Sequence, residues 1–269
     1  MKDNQLKPEE IWIPEDQGSQ ATRLQTTLTS SEKSAIQKYA EIVIGELHYG
    51  KLIKYEILTT LLSPLPGALG FFLRKQFYPQ LLGEMGRNSV IGKSVTLRHP
   101  QKINIGQNVI IDDYVVLDAK GDNNKGIIIG DNVIIGRGTV ISCKNGNVEI
   151  GRNTNVAMQC FIQSAREVII GENVLFSAYV YLIGGGDHKT DRVDIPIIAQ
   201  GQVVRGIHIR DNCFIGAGAK IQDGVVIGRD SIVGTGAVVR KSIPEFCISA
   251  GVPAKNIRFR QSAGDKLRK

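Results

Sequence analysis

His188 stands in the run Gly184-Gly185-Gly186-Asp187-His188-Lys189, and its surroundings make it the first candidate for chemistry in this chain. An imidazole changes charge near neutral pH, so it can take the proton from a hydroxyl and give it up again. The three glycines before it let the backbone come close to a ligand. Asp187 is a candidate to orient the ring, although adjacency in sequence does not guarantee side-chain contact. The other histidines compete poorly. His208 lies between Ile207 and Ile209, so strand alternation points it outward, to a cleft or to the surface. His99 opens a corner with Pro100, and His48 belongs to a leading helical segment. Cys143, Cys160, Cys213 and Cys247 are far apart and form no CxxC pair, so they read as small buried thiols in a reducing compartment, not as a disulfide frame or a zinc site.

The scaffold behind His188 is legible as an internal repeat. An aliphatic or similar apolar residue recurs every six positions from Met85: Ile91, Leu97; Ile105, Ile111, Leu117; Ile129, Ile135, Ile141. The series continues through Ile150, Val156, Ile162; Ile170, Phe176, Leu182; Ile209, Ile215, Ile221; Ile227, Val233, Val239. Grouped in threes, these hexads make seven units of eighteen residues. The first hexad of a unit reads aliphatic, Gly, any, Asn, with Gly at 86, 106, 130, 151, 171 and 228 and Asn at 88, 108, 132, 153, 173 and 212. Asp230 fills the seventh Asn place. Asn, Asp and Gly tolerate left-handed backbone angles and suit repeated corners. Extra residues fall only between a third hexad and the next first hexad. The pattern predicts an all-β fold, a parallel β-helix of about seven coils whose short strands stack at about 4.7–4.9 Å, with one corner taking every insertion.

Between Leu182 and Ile209 the ladder skips twenty-seven residues, where six to twelve is the rule at the other junctions. So long an excursion from a regular scaffold is the mark of a functional loop, and it is the loop that carries Asp187 and His188. We place it at 183–208, inside a β-helix domain spanning 85–242.

Ahead of the coil the chain divides in two. Residues 1–30 are polar and interrupted by prolines, which predicts a disordered tail with an isolated apolar trio, Ile11-Trp12-Ile13. Residues 31–84 predict a helical hairpin: a helix over 31–62 with Ser30 or Ser31 as N-cap and Glu32 in its first turn, a break at Pro64, Pro66 and Gly67, and a second apolar segment from Ala68 to Leu82. Ile57 to Leu73 holds seventeen uncharged residues flanked by Lys51, Lys54, Arg74 and Lys75. This stretch is too short and too broken for a transmembrane helix. Two roles are open to 51–82: capping the end of the coil, or peripheral contact with an anionic membrane surface. The net charge of +7 and pI near 9.2 agree with a phosphorylated cofactor or an anionic membrane as partner. The charge is dispersed and no nucleic-acid-binding motif accompanies it, so nucleic acid is not expected. No signal-peptide core opens the chain, which predicts a cytoplasmic protein, peripheral at the inner face of the membrane if 51–82 touches lipid.

The hexads, the loop Gly184 to Lys189 and the ending Ala250-Gly251-Val252-Pro253-Ala254-Lys255 resemble, in the same order, the hexapeptide-repeat acetyltransferases, nearest to the galactoside, maltose and capsule-sugar O-acetyltransferases. The resemblance covers roughly 85–260. It implies a left-handed coil, a homotrimer, and acetyl-CoA bound in clefts between subunits. It implies that His188 is the general base for direct attack of a hydroxyl on the thioester. It further implies that backbone groups of Ala217 and Thr235 meet the pantetheine arm, that Pro253 belongs to the CoA-contacting segment 243–269, and that Lys241 and Lys255 face the phosphates. Many relatives carry Trp where this chain has Phe214. The clustered histidines of β-helical carbonic anhydrases have no match, so no metal is expected. The acceptor expected is a hydroxyl of a sugar or glycan precursor, the activity an acyl-CoA-dependent O-acetyltransferase in polysaccharide biosynthesis. The alternatives are an N-acetyltransferase of an amino-sugar nucleotide and a non-catalytic scaffold.

Overall fold

The computed structural model describes residues 11–13 and 27–260. Its core is a left-handed parallel β-helix. Two seven-stranded parallel sheets and a third of nine strands form the faces of a triangular prism. The predicted ladder is the register of these sheets. Met85 pairs with Ile105, Ile105 with Ile129, Ile129 with Ile150, Ile150 with Ile170, Ile170 with Ile209 and Ile209 with Ile227. Every ladder residue is buried except Met85, which is partly buried at the mouth of the coil. The coil runs past residue 242: Cys247–Gly251 pairs in parallel with Ile232–Val233, and Ala254–Phe259 folds back on it as an antiparallel hairpin.

Asn and Gly in the first hexad turn out to solve different problems. Asn88, Asn108, Asn132, Asn153, Asn173 and Asn212, with Asp230, all adopt φ between 55° and 60°. Their amides form a ladder up the first corner, each Nδ2 donating to the next Oδ1, as from Asn108 to Asn132 at 3.0 Å. The glycines are not left-handed. A Cβ on Gly86 would stand 2.5 Å from the backbone of Gly106, so glycine is required by the closeness of the next coil and not by its own φ. A second column of left-handed residues marks the second corner: Ser94, Tyr114, Gly138, Gln159, Tyr179, Gly218 and Gly236. The third corner takes the insertions.

Over 31–84 the described residues form three α-helices, not a hairpin of two. Helix α1, Ala35–Val43, is capped by Ser34, whose side chain and that of Gln37 form a capping box. The expected cap at Ser30 or Ser31 is therefore corrected. Helix α2, Tyr49–Leu62, starts afresh after Gly45 turns at φ +83°, with the His48 ring accepting from the Lys51 N–H. Helix α3 is Gly67–Phe77. Ala40, Val43, Leu52, Tyr55, Leu62 and Tyr78 join one apolar cluster with Ile91 and Leu97 of the first coil, so the helices cap the ladder. Arg74, expected as an exposed flanking cation, is buried. Its Nε donates to the Ile91 carbonyl and its Nη1 to the Leu62 and Leu65 carbonyls, all at 2.8 Å. No described helix is long and apolar enough to cross a membrane.

The predicted disordered tail lies mostly outside the described residues. Within it, Ile11–Ile13 forms a strand instead, paired antiparallel with Gln202–Val204 of the long loop. Backbone pairing with a distant edge is not visible in local composition.

Candidate active site

The excursion after Leu182 leaves the third corner and builds a small ribbon of its own. Asp187–His188 pairs antiparallel with Gln202–Val204, and the strand Ile11–Ile13 lies on the far side of the latter. Side-chain amides hold the loop between. The buried Gln200 donates from Nε2 to the Arg192 carbonyl at 2.6 Å and accepts from the Arg192 N–H at 3.0 Å. Gln202 donates to the Gly185 carbonyl. Asp223 receives the Arg205 and Gly206 N–H groups at 2.7 and 2.8 Å, where the chain returns to the coil. Burial raises the Asp223 pKa, and the two amides oppose the rise by favouring the carboxylate.

On this ribbon His188 is exposed. Asp187 is exposed too, and its carboxylate meets the Arg205 guanidinium at 3.1 Å. Successive residues of a strand face opposite sides, so the pairing of Asp187 with Arg205 leaves His188 on the other face. His208 is engaged otherwise: its Nε2 stands 2.9 Å from Glu167 Oε1 on the neighbouring strand of the outward face. His99 is buried with φ +49°, and its Nε2 stands 2.9 Å from the Glu41 carbonyl, which ties α1 to the first coil.

Ala217 and Thr235 occupy equivalent places on the second corner of consecutive coils, joined by a 2.8 Å bond from the Gly236 N–H to the Ala217 carbonyl. Gly218 and Gly236 beside them open onto free space. The hairpin tip at Gly251 to Ala254 extends the same corner, because Ala250 packs against Gly234. Pro253 and Lys255 are thereby brought near Thr235, both exposed. Lys241 is exposed as well but follows the third-face strand Val238–Val239, one face away from this group. Phe214 is half-buried on the outward second face, in register with Leu175 and Ile232. The four cysteines are free and buried, and burial pushes the Cys143 and Cys213 thiols up to about 12 and about 11. No described group of His, Cys, Asp and Glu stands ready to hold a metal.

His188 thus leaves the prism at its third corner, whereas Ala217, Thr235 and the hairpin tip sit at the second. A single chain keeps these two groups apart by one face. A cavity of about 810 Å³ does exist at the third corner of the first coils, lined by His99, Lys102, Lys120, Ser142 and the end of α1, but none of the predicted site residues borders it. Gln200, Gln202, Arg205 and Asp223 were missed from sequence. Each works mainly through a backbone partner or a single charge eight to eighteen residues away, which leaves no periodic mark.

Residues 206–241 match the family model described as bacterial transferase hexapeptide (six repeats). A putative acetyltransferase of Saccharomyces cerevisiae is 31% identical over 166 residues, 58% of this chain and 82% of that protein. The galactoside O-acetyltransferase of Escherichia coli is 36% identical over 113 residues, 42% of this chain and 54% of that protein. Against other curated relatives the chain spans as little as 44% of their length. Among solved structures, the polysialic acid O-acetyltransferase OatWY shares the fold with a TM-score of 0.51 at 19% identity, over 69% of this chain and 96% of that chain. With the repeat, the coil and these relatives in agreement, the chain belongs to the hexapeptide-repeat acetyltransferase family.

Proposed function

We propose that this protein transfers an acetyl group from acetyl-CoA to a hydroxyl of a sugar or glycan precursor, as a cytoplasmic homotrimer with His188 as general base. The carrying observation is the placement of the two halves of the site. His188 projects on a ribbon from one corner, while the Ala217–Thr235 column and the hairpin tip with Pro253 and Lys255 lie at another. A second copy brings its ribbon to that corner, and three such contacts close a ring. The second face is suited to the neighbour: Ile110, Ile134 and Leu175 are exposed along it, with Tyr114, Met158 and Tyr179 at its corner.

In the reaction the acceptor oxygen attacks the thioester carbonyl carbon, and the His188 imidazole takes the hydroxyl proton. The carbon–sulfur bond then breaks, and the proton passes to the departing thiolate. The ester forms without a covalent enzyme intermediate, since the thioester is already activated. Thr235 and Ala217 hold the pantetheine through their backbone, and Lys255 meets the phosphates as a flexible point charge, with Lys241 serving from the adjoining edge. Asp187 acts on the ribbon through Arg205. The exposed side of α2 and α3 rests on anionic membrane.

The test is release of free CoA from acetyl-CoA with a panel of glycans and amino sugars. An ester product with hydroxyl acceptors supports the reading. An amide product moves the activity to nitrogen, and no release with any acceptor leaves a scaffold.

A further inference from the structure

We infer that the strand Ile11–Ile13 is a positioning element for the catalytic loop, an inference that rests on His188 being the base. The ribbon belongs to none of the three coil sheets; its strand order is Ile11–Ile13, Gln202–Val204, Asp187–His188. The central strand is shared residue by residue. Val203 pairs with Trp12 on one side and Asp187 on the other, and Gln202 pairs with Ile13 and His188. The backbone of His188 is therefore in line with that of Ile13 through one intervening residue.

On the His188 side the pairing is only two residues long. A two-stranded ribbon of that length is not stable alone in water. Without the third strand, Gln202–Val204 would also present a free edge of N–H and C=O groups. Tethers among the described residues include the Gln202 amide on the Gly185 carbonyl, the Lys189 N–H on the Gly201 carbonyl at 3.2 Å, the Gln200 amide on Arg192, and the Asp187–Arg205 pair, and none of them replaces a third strand. Asp223 fixes only the point where the chain rejoins the coil. The sequence of the segment fits the role, since Ile11-Trp12-Ile13 is apolar within a polar stretch and Pro14 favours an extended residue before it.

The experiment compares the full chain with Ile11→Pro/Trp12→Pro, which removes adjacent N–H groups and so disrupts the ladder in either phase. Amide exchange at 187–188 and 202–204, thermal melting, and steady-state kinetics with acetyl-CoA are measured on both. The expected result is faster exchange at both segments, an unchanged melt of the coil, and kcat lower by about 10- to 100-fold, the scale of a misplaced catalytic group. KM for acetyl-CoA should hold, because Ala217 and Thr235 are at another corner. Unchanged exchange at 202–204, or full kcat with exchange increased, overturns the inference. Should His188→Ala keep its turnover, the base assignment fails, while exchange at 202–204 still decides whether the strand docks.

Discussion

The Asp187 carboxylate lies 3.1 Å from the Arg205 guanidinium, across the ribbon from the face that His188 uses. Asp187 is 71% exposed and Arg205 29%, so the carboxylate lies in water and the guanidinium is half-buried at the surface. An ion pair in that setting is worth at most about 1 kcal/mol. In the proposed mechanism Asp187 is therefore a positioning residue, joined to His188 by the strand they share.

Asp187→Asn is accordingly expected to lower kcat by only about 2- to 5-fold, within what a surface pair can supply. Arg205→Gln should do the same, and the double variant should lose no more than the larger single loss. Kinetics of the three variants check this; losses that multiply would mean the two residues act separately.

His188→Ala should lower turnover by about 10²–10⁴-fold, the usual contribution of a placed general base, with the loss in kcat and not in CoA affinity. His208→Ala should lose far less, since its ring is engaged by Glu167 at 2.9 Å on the outward first face. Retained turnover in the first variant with a dead second would reassign the base.

The coil could be read from sequence because each rung is decided locally. Ile111, Ile135 and Val156 are interior for the same reason, a six-residue step that carries the chain from wall to wall and, after three steps and any corner insertion, back to the same one. Asn132 was placed at a corner for the right reason, its left-handed φ of 57°. Gly86 was placed rightly for the wrong one, because the neighbouring coil that excludes a Cβ is twenty residues away. Long-range contacts account for most of the misreadings. Arg74 looks like a surface cation until three carbonyls, from the end of α2, the turn after it and the coil, are seen around it. Ser34 was passed over because Ser30 and Ser31 offer the same hydroxyl, and only Gln37 three residues on singles it out. The His188 loop was visible as a gap, but its support by Ile11–Ile13 and Gln200 is tertiary.

Arg74 makes a sharp prediction about the cap. Arg74→Ala would remove the donor from the buried Ile91 and Leu62 carbonyls and the part-buried Leu65 carbonyl, at a cost of about 1–3 kcal/mol for each buried group left unmade. The three helices should then melt or exchange ahead of the coil. Arg74→Lys should rescue only part of this, since an ammonium lacks the planar fork that reaches carbonyls on both sides. Equal protection of the cap and coil in Arg74→Ala would count against the account.

The outer side of the cap is a second target. Tyr49, Ile53, Ile57 and Leu61 repeat at every fourth position of α2 with exposures of 52–61%, and Leu69 and Phe72 on α3 reach 64%. Leu52, Tyr55 and Leu62 face the coil, so the outer stripe is not required for capping. Ile53→Ser/Ile57→Ser/Leu61→Ser should therefore keep the fold yet abolish weak, salt-sensitive flotation with anionic vesicles, to which exposed Lys54 and Lys75 contribute. Flotation equal to that of the unsubstituted chain would dismiss lipid as the partner of this face.

His99 gives the cap a pH dependence whose sign is fixed by its surroundings. Burial holds its pKa below the ordinary 6.5, with Lys102 and Lys120 adding to the effect and the bond to the Glu41 carbonyl and the charge of Asp118 opposing it. The folded chain therefore keeps the ring neutral, while the unfolded chain takes up a proton as pH falls through about 6.5. The stability His99 contributes is complete above that value and declines as pH drops through it toward the folded pKa. The loss should appear first in α1, whose Glu41 carbonyl and Val43 carbonyl are the groups His99 holds through its ring and its N–H. Exchange at 40–44 should quicken between pH 7 and pH 5 in the unsubstituted chain after correction for the intrinsic rate. In His99→Asn, which accepts the left-handed φ of 49° and cannot titrate, that acceleration should vanish even though the cap is weaker at every pH. An identical pH slope in both proteins would show that another group, and not this imidazole, governs the docking of α1.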